Sequence, residues 1–276
     1  SVKKKTAYRP SMTSAGLSPT HTVDGLDQEG GPLHTKIAGE YPLTIQVDGR
    51  EVVTLMTLGT YPETLALGFL RNQRLIQDIE EIASVHVNWS EESVHIATRQ
   101  GKGIADWEEK MAHRSVTSGC GQGTVFSCVL DKLYEVRLPR VTVDRSTVYG
   151  VVRAVARENE IYKAAGAVHG CALCRGDEIL LFVEDVGRHN AADTISGWMW
   201  LDRISGGDKI FYTTGRLTSE IVMKIAHMGI PVLISRSGVT HMGLELARDL
   251  GITMIARAKG KQFIVYSGGE NIDFSG

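Results

Sequence analysis

The stretch Glu184-Asp-Val-Gly-Arg-His-Asn190 lies between an apolar run, Ile179 to Val183, and a helical pattern over residues 190–204. A β-branched run that ends in polar residues and continues as a helix is typical of a strand–loop–helix unit. Further apolar runs follow and alternate with helical patterns at 217–228 and 240–250. This rhythm predicts crossover connections and a largely parallel or mixed sheet with helices on its faces. The further runs are Lys209 to Tyr212, Pro231 to Ser235 and Ile252 to Ala256.

The chain before this rhythm has shorter elements. Apolar and polar residues alternate over Tyr41 to Leu58 on either side of Asp48-Gly49, which predicts a β-hairpin. Thr60 is placed to cap a helix that ends near Asn72. Two more alternating segments, 82–88 and 93–98, complete a small α+β layer, and Ser146 begins an amphipathic helix.

These patterns divide the chain into three predicted parts. Residues 1–33 are rich in Ser, Thr, Gly, Pro and charge and have almost no apolar period, so we expect a flexible leader. Residues 34–142 form a smaller α+β domain that ends in a Gly-rich loop around Cys120. Residues 143–276 form a larger α/β domain.

Composition excludes several classes of protein. The 30 Lys and Arg residues nearly balance the 32 Asp and Glu residues, for a net charge of −2, which argues against binding to nucleic acid or to a membrane surface. The sequence has no apolar run of about eighteen residues, so no membrane-spanning helix is predicted. The cysteines, at positions 120, 128, 171 and 174, are too few for a secreted disulfide framework. We therefore expect reduced thiols and a cytoplasmic protein.

Cys120 is the first candidate for chemistry. It lies between Gly119 and Gly121 in a stretch without apolar period, which predicts an exposed thiol on a Gly-rich loop. A thiolate is required to attack a persulfide sulfur, and His113 and Arg114 are candidates for the positive charge that lowers the thiol pKa. From the pattern alone, an inert cysteine in a tight turn is the favoured interpretation, because Gly-Cys-Gly is short.

The pair Cys171-Ala-Leu-Cys174 has the spacing of a redox dithiol or of half a zinc site, with His169 close by. No second C-x-x-C or H-x-x-x-H supplies the remaining zinc ligands, so no metal is predicted. The pair also enters a strand that leads to Arg175-Gly-Asp177 and does not open a helix. Packed, unreactive thiols on a strand are therefore the favoured interpretation.

The ends of the predicted strands are the second candidate. In an open α/β sheet, ligands bind at the carboxyl ends of the strands, where helix N-termini offer backbone N–H groups to anions. Asp185 could accept from a purine or ribose donor, or it could form a structural ion pair with Arg188. The polar groups that could line this edge are Asp185, Gly187, Arg188, His189, Gly215, Arg216, Ser235 to His241 and Arg257 to Gln262.

Four polar strand ends fit a ligand with several phosphates, such as a nucleotide. None of the glycine-containing segments is a G-x-G-x-x-G or a G-x-x-x-x-G-K-[ST] motif. The sequence therefore predicts phosphate binding without a known hydride-transfer or phosphate-cleavage motif.

Three motifs together resemble the formate dehydrogenase accessory sulfurtransferase family. They are Ser118-Gly-Cys-Gly121, Asp185-Val-Gly-Arg-His-Asn-Ala191 and Gly215-Arg-Leu-Thr-Ser-Glu220. The resemblance extends from about Gly39 to Tyr266. It also includes Glu40-Tyr-Pro-Leu43, Leu67-Gly-Phe69 and Val168-His169.

The resemblance implies a three-layer, cytidine-deaminase-like α/β domain with a smaller N-terminal α+β domain. It implies that sulfur passes from a cysteine desulfurase, as a persulfide on Cys120, to the molybdenum bis(guanine dinucleotide) cofactor of formate dehydrogenase. By the same resemblance, the cofactor is held by the segment Arg257, Ala258, Lys259, Gly260, Lys261 and Gln262, and its guanine nucleotide arms by the Gly-Arg strand ends.

The sequence departs from the family pattern at two positions. Gly123 stands where many members have a second loop cysteine, which argues against a dithiol relay within the loop, although a single persulfide needs no resolving thiol. Gln262 stands where an Arg is common, with Lys259 and Lys261 close by. A zinc deaminase needs H-x-E, and His169-Gly170-Cys171 has no Glu at the third position, so deamination is not expected.

Two other functions remain open at this stage. The first is a chaperone that binds the molybdenum cofactor and hands it on without covalent sulfur chemistry. The second is a regulatory domain that senses a guanine nucleotide through its Gly-Arg loops. We also expect a homodimer, because a cofactor with two guanine nucleotide arms is matched naturally by a two-fold axis.

Overall fold

A computed structural model of the chain describes residues 7–112, 114–117, 123–126 and 133–276, with side chains for residues 7–112 and 133–276. These residues form two main sheets, one of five and one of six strands. The architecture is mixed α/β. No helix among the described residues is long and apolar enough to cross a membrane.

The five-stranded sheet has the order β1-β6-β7-β4-β5. Asp48 and Gly49 both have positive φ angles, 48° and 83°, and form the predicted hairpin turn between β4 and β5. Helix α1 buries its apolar residues against the sheet and begins without the predicted cap, because Tyr61 precedes its first residue and makes no side-chain capping bond. The prediction for Thr60 is therefore wrong. The elements are β1 (Ser11–Met12), β4 (Tyr41–Val47), β5 (Arg50–Thr57), α1 (Pro62–Asn72), a 3₁₀ turn (Ile79–Glu81), β6 (Ile82–Asn88), β7 (Ser93–Thr98) and α2 (Trp107–Ala112).

The predicted flexible leader is wrong for residues 7–33. Strand β1 pairs with β6, and β2 (Thr20–Leu26) pairs with β3 (Pro32–Ala38) as an antiparallel hairpin. The indole Nε1 of Trp89 donates to the carbonyl of Ala15 at 2.6 Å, and the amide of Ala15 donates to Glu63 Oε1 at 2.8 Å. Long-range hydrogen bonds of this kind order a segment that has no apolar period of its own.

The six-stranded sheet has the order β12-β11-β13-β14-β15-β16. Strands β13, β14 and β15 run parallel, as their crossover helices predict, and β11 and β16 run antiparallel to their neighbours. The sheet is therefore mixed. The elements are α3 (Arg145–Glu158), α4 (Glu160–Ala165), β11 (His169–Arg175), β12 (Glu178–Asp185), α5 (Arg188–Asp202), β13 (Ile210–Thr213), α6 (Ser219–His227), β14 (Val232–Ser235), α7 (His241–Leu250), β15 (Thr253–Lys259) and β16 (Gln262–Ser267).

Separate apolar clusters cover the two faces of the six-stranded sheet. Residues of α5, α6 and α7 pack on one face, and residues of α3 pack on the other. Strand β10 (Val143–Asp144) pairs with β17 (Ile272–Asp273), beyond a 3₁₀ turn (Gly269–Asn271), beside the α3 face. Helices thus lie on both sides of the sheet.

Helices α1 and α5 cross at a point where a glycine of each helix lies against the backbone of the other. A Cβ added to Gly68 would lie 1.5 Å from the carbonyl oxygen of Asp193, and one added to Gly197 would lie 2.0 Å from that of Thr64. Only glycine allows this approach. The contact fixes the helix of the five-stranded sheet against the helix that begins at the end of β12.

A two-stranded ladder lies between the two main sheets in the sequence. Strand β8 (Arg114–Thr117) pairs antiparallel with β9 (Gly123–Phe126), and Thr117 lies opposite Gly123. Cys120 belongs to the five residues between the two strands and lies outside the described residues, as does His113; for Arg114 only the backbone is described. The predictions for these side chains stay predictions.

Candidate functional site

The carboxyl ends of four strands meet at one edge of the six-stranded sheet. Strands β12 and β13 both run antiparallel to β11, and β13, β14 and β15 are parallel, so all four end on the same side. Helices α5, α6 and α7 begin there, after β12, β13 and β14 respectively. The hairpin between β15 and β16 also turns at this edge. The predicted strand-end segments are thus brought together along what we call the cationic edge, residues 186–190, 214–218, 236–241 and 257–262.

Hydrogen bonds between the loops make the cationic edge one connected surface. Ser235 Oγ donates to the carbonyl of Gly215 at 2.6 Å, and Ser237 Oγ donates to that of Thr214 at 2.7 Å. The amide of Arg257 donates to the carbonyl of Ser237 at 2.9 Å. The loops after β13 and β14 and the β15–β16 hairpin are therefore held in fixed register.

The arginines of the predicted site approach one another at this edge. Arg216 and Arg236 are exposed, whereas Arg188 is 3% exposed. A Cβ on Gly215 would lie 2.5 Å from Cδ of Arg188, so the two predicted Gly-Arg segments are in contact. The glycine is required there because a side chain would collide with the arginine.

Asp185 braces the edge from beneath. Its carboxylate accepts hydrogen bonds from Thr57 Oγ1 at 2.7 Å and from the amide of Leu58 at 3.1 Å, which join the end of β12 to the end of β5. It also accepts from Asn190 Nδ2 at 3.3 Å and from the amide of Gly187 at 3.4 Å. The residue is 3% exposed, and burial raises its pKa.

These contacts correct one of the interpretations made for Asp185. Its oxygens already accept bonds from the protein, so they do not await a purine or ribose donor. The ion pair with Arg188 stays a prediction. Gly187 precedes α5 and gives its amide to this brace.

His189 is also turned into the protein. Its Nε2 lies 3.0 Å from Glu220 Oε2, and the side chain is 5% exposed. Burial lowers the pKa of His189, although the hydrogen bond to Glu220 opposes this. The ring therefore joins α5 to α6 inside the protein, which corrects its interpretation as a surface cation for phosphate.

His169 was not among the candidate binding residues, yet it lies beside the cationic edge, near Arg188, Arg216 and Arg236. It is the first residue of β11 and pairs with Asp185 across the ladder. Its Nδ1 lies 3.1 Å from Thr214 Oγ1. Because β11 lies between β12 and β13 and runs antiparallel to both, the start of β11 lies beside the ends of both neighbours. The strand order would therefore have identified His169 as a candidate, but the sequence does not give this order.

The β15–β16 hairpin carries the segment implied to bind the cofactor. Arg257 has a positive φ of 51° at an irregularity of the ladder, and Gly260 has a φ of 59° at the turn. Ala258 is 1% exposed and packs in the core, so it cannot contact a ligand with its side chain. The exposed members of the segment are Arg257, Lys259, Gly260, Lys261 and Gln262.

An aromatic ring borders the edge. The guanidinium carbon of Arg236 lies 5.8 Å from the centre of the Tyr162 ring. Tyr162 belongs to helix α4. The carboxylate of Glu184 accepts hydrogen bonds from two amides in the first turn of this helix, those of Ile161 at 3.1 Å and Tyr162 at 2.9 Å. Glu184 is thus a cap for α4, and burial raises its pKa.

The cysteine pair is confirmed as packed thiols on a strand. Cys171 packs in the cluster beneath α5, and Cys174 packs in the cluster beneath α3, so the two thiols lie on opposite faces of the sheet. Both are buried, and burial raises the pKa of each thiol to about 12. They can neither pair as a disulfide nor share a metal. Among the described residues, no three His, Cys, Asp or Glu side chains are grouped to hold a metal ion.

The cationic edge is suited to bind an anion. Within the described ranges, Arg216, Arg236 and Arg257 make no ion pair with a carboxylate, so their charge is available. The first turns of α5, α6 and α7 add backbone N–H groups at the same edge. An extended anion with more than one phosphate matches this distribution of charge.

Comparison with known proteins gives a consistent result. The model of the FdhD/NarQ family matches residues 38–273. The sulfur carrier protein FdhD of Staphylococcus haemolyticus is 32% identical over 234 residues, 84% of this chain and 88% of that protein. The protein of the same name from Bacillus licheniformis is 30% identical over 241 residues, 87% of this chain and 91% of that protein.

A solved structure is similar over nearly the whole chain. It is the crystal structure of a protein from Desulfotalea psychrophila assigned as a formate dehydrogenase accessory protein. The identity is 26% and the TM-score 0.72, with 92% of this chain and 98% of that chain covered.

Proposed function

Since the chain belongs to the FdhD/NarQ family, we propose that it is a sulfur carrier required for formate dehydrogenase activity. We further propose that the sulfur travels as a persulfide on Cys120. Its donor is a cysteine desulfurase, and its acceptor is the molybdenum cofactor with guanine dinucleotide arms. The names of the relatives support the first statement, and the cationic edge supports the acceptor.

The set of arginines at the cationic edge is the observation that supports the molybdenum cofactor as the sulfur acceptor. A guanine dinucleotide arm contains a pyrophosphate, and guanidinium groups bind phosphate oxygens with paired N–H donors. Arg216, Arg236 and Arg257 come from three loops that are hydrogen-bonded to one another. A pyrophosphate along this edge meets these side chains and the first turns of α6 and α7.

Loading of the sulfur requires only a thiolate. The Cys120 thiolate attacks the outer sulfur of the desulfurase persulfide, the sulfur–sulfur bond of the donor breaks, and the donor cysteine leaves as a thiolate. The product is a persulfide on Cys120, and no resolving cysteine is consumed. Gly123 in place of a second loop cysteine is compatible with this single step.

The intact mass of the protein tests this step. After incubation with a cysteine desulfurase and cysteine, we expect a gain of about 32 Da, one sulfur atom, that reducing agent removes. The Cys120→Ala variant should show no gain, and Cys128→Ala serves as the matched control that keeps it. Absence of the adduct from the wild type, or its persistence in Cys120→Ala, would contradict the proposal.

A cofactor chaperone without sulfur chemistry is the second candidate, and the cationic edge alone is compatible with it. The two functions differ in what Cys120→Ala does to a formate dehydrogenase matured together with the variant. Sulfur carriage predicts loss of formate oxidation with cofactor binding retained. Near-normal formate oxidation would establish the chaperone.

The proposal also covers the layer arrangement, the location and the oligomeric state of the protein. We propose that the helices on both faces of the six-stranded sheet form the three-layer arrangement of cytidine deaminases, in support of which Val168-His169 leads into a central strand. The low cysteine count supports a reducing, cytoplasmic location. A homodimer would match the two arms of the cofactor, and light scattering of the purified protein tests it.

A further inference from the structure

We infer that His169 is an additional phosphate ligand of the cationic edge and that it becomes a cation only when the ligand arrives. A phosphate-bearing nucleotide that binds among Arg188, Arg216 and Arg236 draws one proton from solvent onto the His169 ring. The protonated ring then binds a phosphate oxygen through Nε2. This inference rests on the proposed nucleotide site and adds a residue and a proton to it.

The hydrogen bonds of His169 fix which nitrogen faces the ligand. Thr214 Oγ1 accepts the amide of Gly170 at 3.0 Å and lies 3.1 Å from His169 Nδ1. A hydroxyl that accepts from an amide still has its own proton to donate, and we assign Nδ1 of the neutral ring as the acceptor of that proton. The ring proton is then on Nε2, which has no recorded partner within the described part of the chain.

Protonation of the ring requires little rearrangement. A proton added at Nδ1 reverses the bond to Thr214, whose oxygen can accept two hydrogen bonds once the hydroxyl hydrogen rotates away. The backbone of β11 and the loop after β13 need not move. Nε2 donates to the phosphate in both states and does so as part of a cation in the second.

The charges that face His169 keep it neutral in the free protein. Arg188 and His189 approach from α5, Arg216 from the loop after β13, and Arg236 from the loop after β14. Burial lowers the pKa of His169, and the repulsion from these four groups lowers it further.

The nearby carboxylates are engaged elsewhere. Asp185 accepts from Thr57 and Leu58, Glu184 caps α4, and Glu220 is bonded to His189. Among the described residues, the charges that face the ring are therefore positive until an anion binds. A bound phosphate reverses the sign of the local field and raises the histidine pKa.

The consequence is a linkage between binding and pH. Below the pKa of the free protein the ring is protonated before and after binding, and above the pKa of the complex it is neutral in both states. Between these limits binding takes up a fraction of one proton, which grows with the pKa difference, so affinity falls as pH rises. A pKa difference of about one unit corresponds to about a tenfold change in affinity.

Calorimetric titration with the symmetrical dinucleotide diguanosine pyrophosphate tests the inference. Each phosphate of this probe has one ester bond, one anhydride bond and one strongly acidic oxygen and does not titrate near neutrality, so any proton uptake belongs to the protein. We would titrate the full chain near neutral pH in two buffers of different ionisation enthalpy, and repeat at about pH 6 and about pH 8. With a pKa difference of about one unit, we expect an uptake of up to about half a proton and tighter binding at the lower pH, by a factor that approaches about ten.

Three variants assign the proton. His169→Gln should abolish the uptake and weaken binding at about pH 6 with little change at about pH 8. His189→Gln tests the neighbouring ring, and exposed His86→Gln on β6 is the surface control; both should retain the uptake.

The outcomes separate this inference from the proposed function. Binding without proton uptake, uptake that survives in His169→Gln, or an equal loss of affinity at both pH values would overturn the role of His169 and leave the nucleotide site standing. Absence of binding at every pH would overturn both.

Discussion

Asp193 and Lys224 form a buried ion pair between α5 and α6, with Nζ 2.8 Å from Oδ2 and side chains 2% and 11% exposed. Asn72 Nδ2 donates to Asp193 Oδ1 at 2.8 Å and ties the pair to α1. Asp193→Ala leaves a buried ammonium without its carboxylate, and we expect a loss of about 3–5 kcal/mol of unfolding free energy in urea denaturation. The double variant with Lys224→Met should regain most of it.

The matched control is an exposed pair. Arg9 Nη1 lies 2.7 Å from Asp202 Oδ1 with side chains 53% and 32% exposed, so Asp202→Ala should cost less than about 1 kcal/mol. If Asp193→Ala and Asp202→Ala lowered the unfolding free energy equally, burial would not be the reason for the larger effect expected at Asp193.

Cys171 and Cys174 should behave as unreactive core residues. Because their pKa values are raised to about 12, almost no thiolate exists at about pH 8, and burial blocks access to it. We expect peptide mapping to find neither thiol alkylated by iodoacetamide in the folded protein and both alkylated after unfolding in urea. Rapid modification of either thiol in the folded state would contradict their assignment as unreactive core residues.

Residue-scale prediction from the sequence succeeded where a pattern was local and failed where a partner was distant. The placement of Cys171 and Cys174 on a strand follows from the residues around them. The role of Asp185 does not, because its main partner, Thr57, is 128 residues away in the chain. A polar residue at a strand end has the same appearance in sequence whether it faces a ligand or braces a loop.

At the scale of elements, the crossing of α1 and α5 depends on two glycines. Gly68→Ala and Gly197→Ala each place a Cβ within 2.0 Å of a backbone carbonyl oxygen, and no side-chain rotation relieves the clash. We expect each to lower the unfolding free energy by about 2–3 kcal/mol or more in denaturant titration.

Gly150 in α3 provides the matched control for these two variants. A Cβ there meets only one side chain and no backbone: Oδ2 of exposed Asp177 at 2.5 Å and its Cβ at 2.7 Å. Gly150→Ala should therefore cost clearly less than either of the two variants, because the Asp177 side chain can shift and alanine favours a helix. A similar loss in all three variants would mean that glycine is not required by the close approach.

The elements of the second half were predictable because each has its own apolar period. The runs at Ile179, Lys209, Pro231 and Ile252 all became strands, and the helical patterns between them became α5, α6 and α7. Segments without a period were not predictable. Residues 7–33 acquire their strands from partners elsewhere in the chain, and the antiparallel direction of β11 is set by the sheet and not by the C-x-x-C it contains.

At the scale of the whole molecule, the net charge of −2 means that attraction of an anionic ligand is local to the cationic edge. Exposed Arg257 at the hairpin should therefore contribute more than an exposed arginine elsewhere. We expect Arg257→Gln to weaken binding of diguanosine pyrophosphate about three- to tenfold at low salt, and the difference to shrink as salt rises. Arg157→Gln on α3 is the control, and an equal effect would indicate a diffuse field.

The N-terminal segment before the β2–β3 hairpin ties several elements of the molecule together. Its backbone and side chains bond to β6, to Trp89 just after β6, to α1 and to Gly59 just beyond β5, and Arg9 reaches α5. The main contacts are Tyr8 Oη to Ile82 O, Thr13 N to Val85 O, Ala15 N to Glu63 Oε1, Trp89 Nε1 to Ala15 O and Leu17 N to Gly59 O.

Removal of residues 1–18 should therefore lower global stability. Each lost bond is worth about 1 kcal/mol net, and Glu63, already buried, loses a donor, so we expect a decrease of about 3 kcal/mol or more in unfolding free energy. As control, replacement of residues 22–36 by two glycines removes most of the exposed hairpin and keeps His21 bonded to Tyr41. That variant should lose less than about 1 kcal/mol, because a ribbon exposed on most of its surface contributes little to the core. If the chain without residues 1–18 unfolded at the same urea concentration as the full chain, the segment would be a passive leader after all.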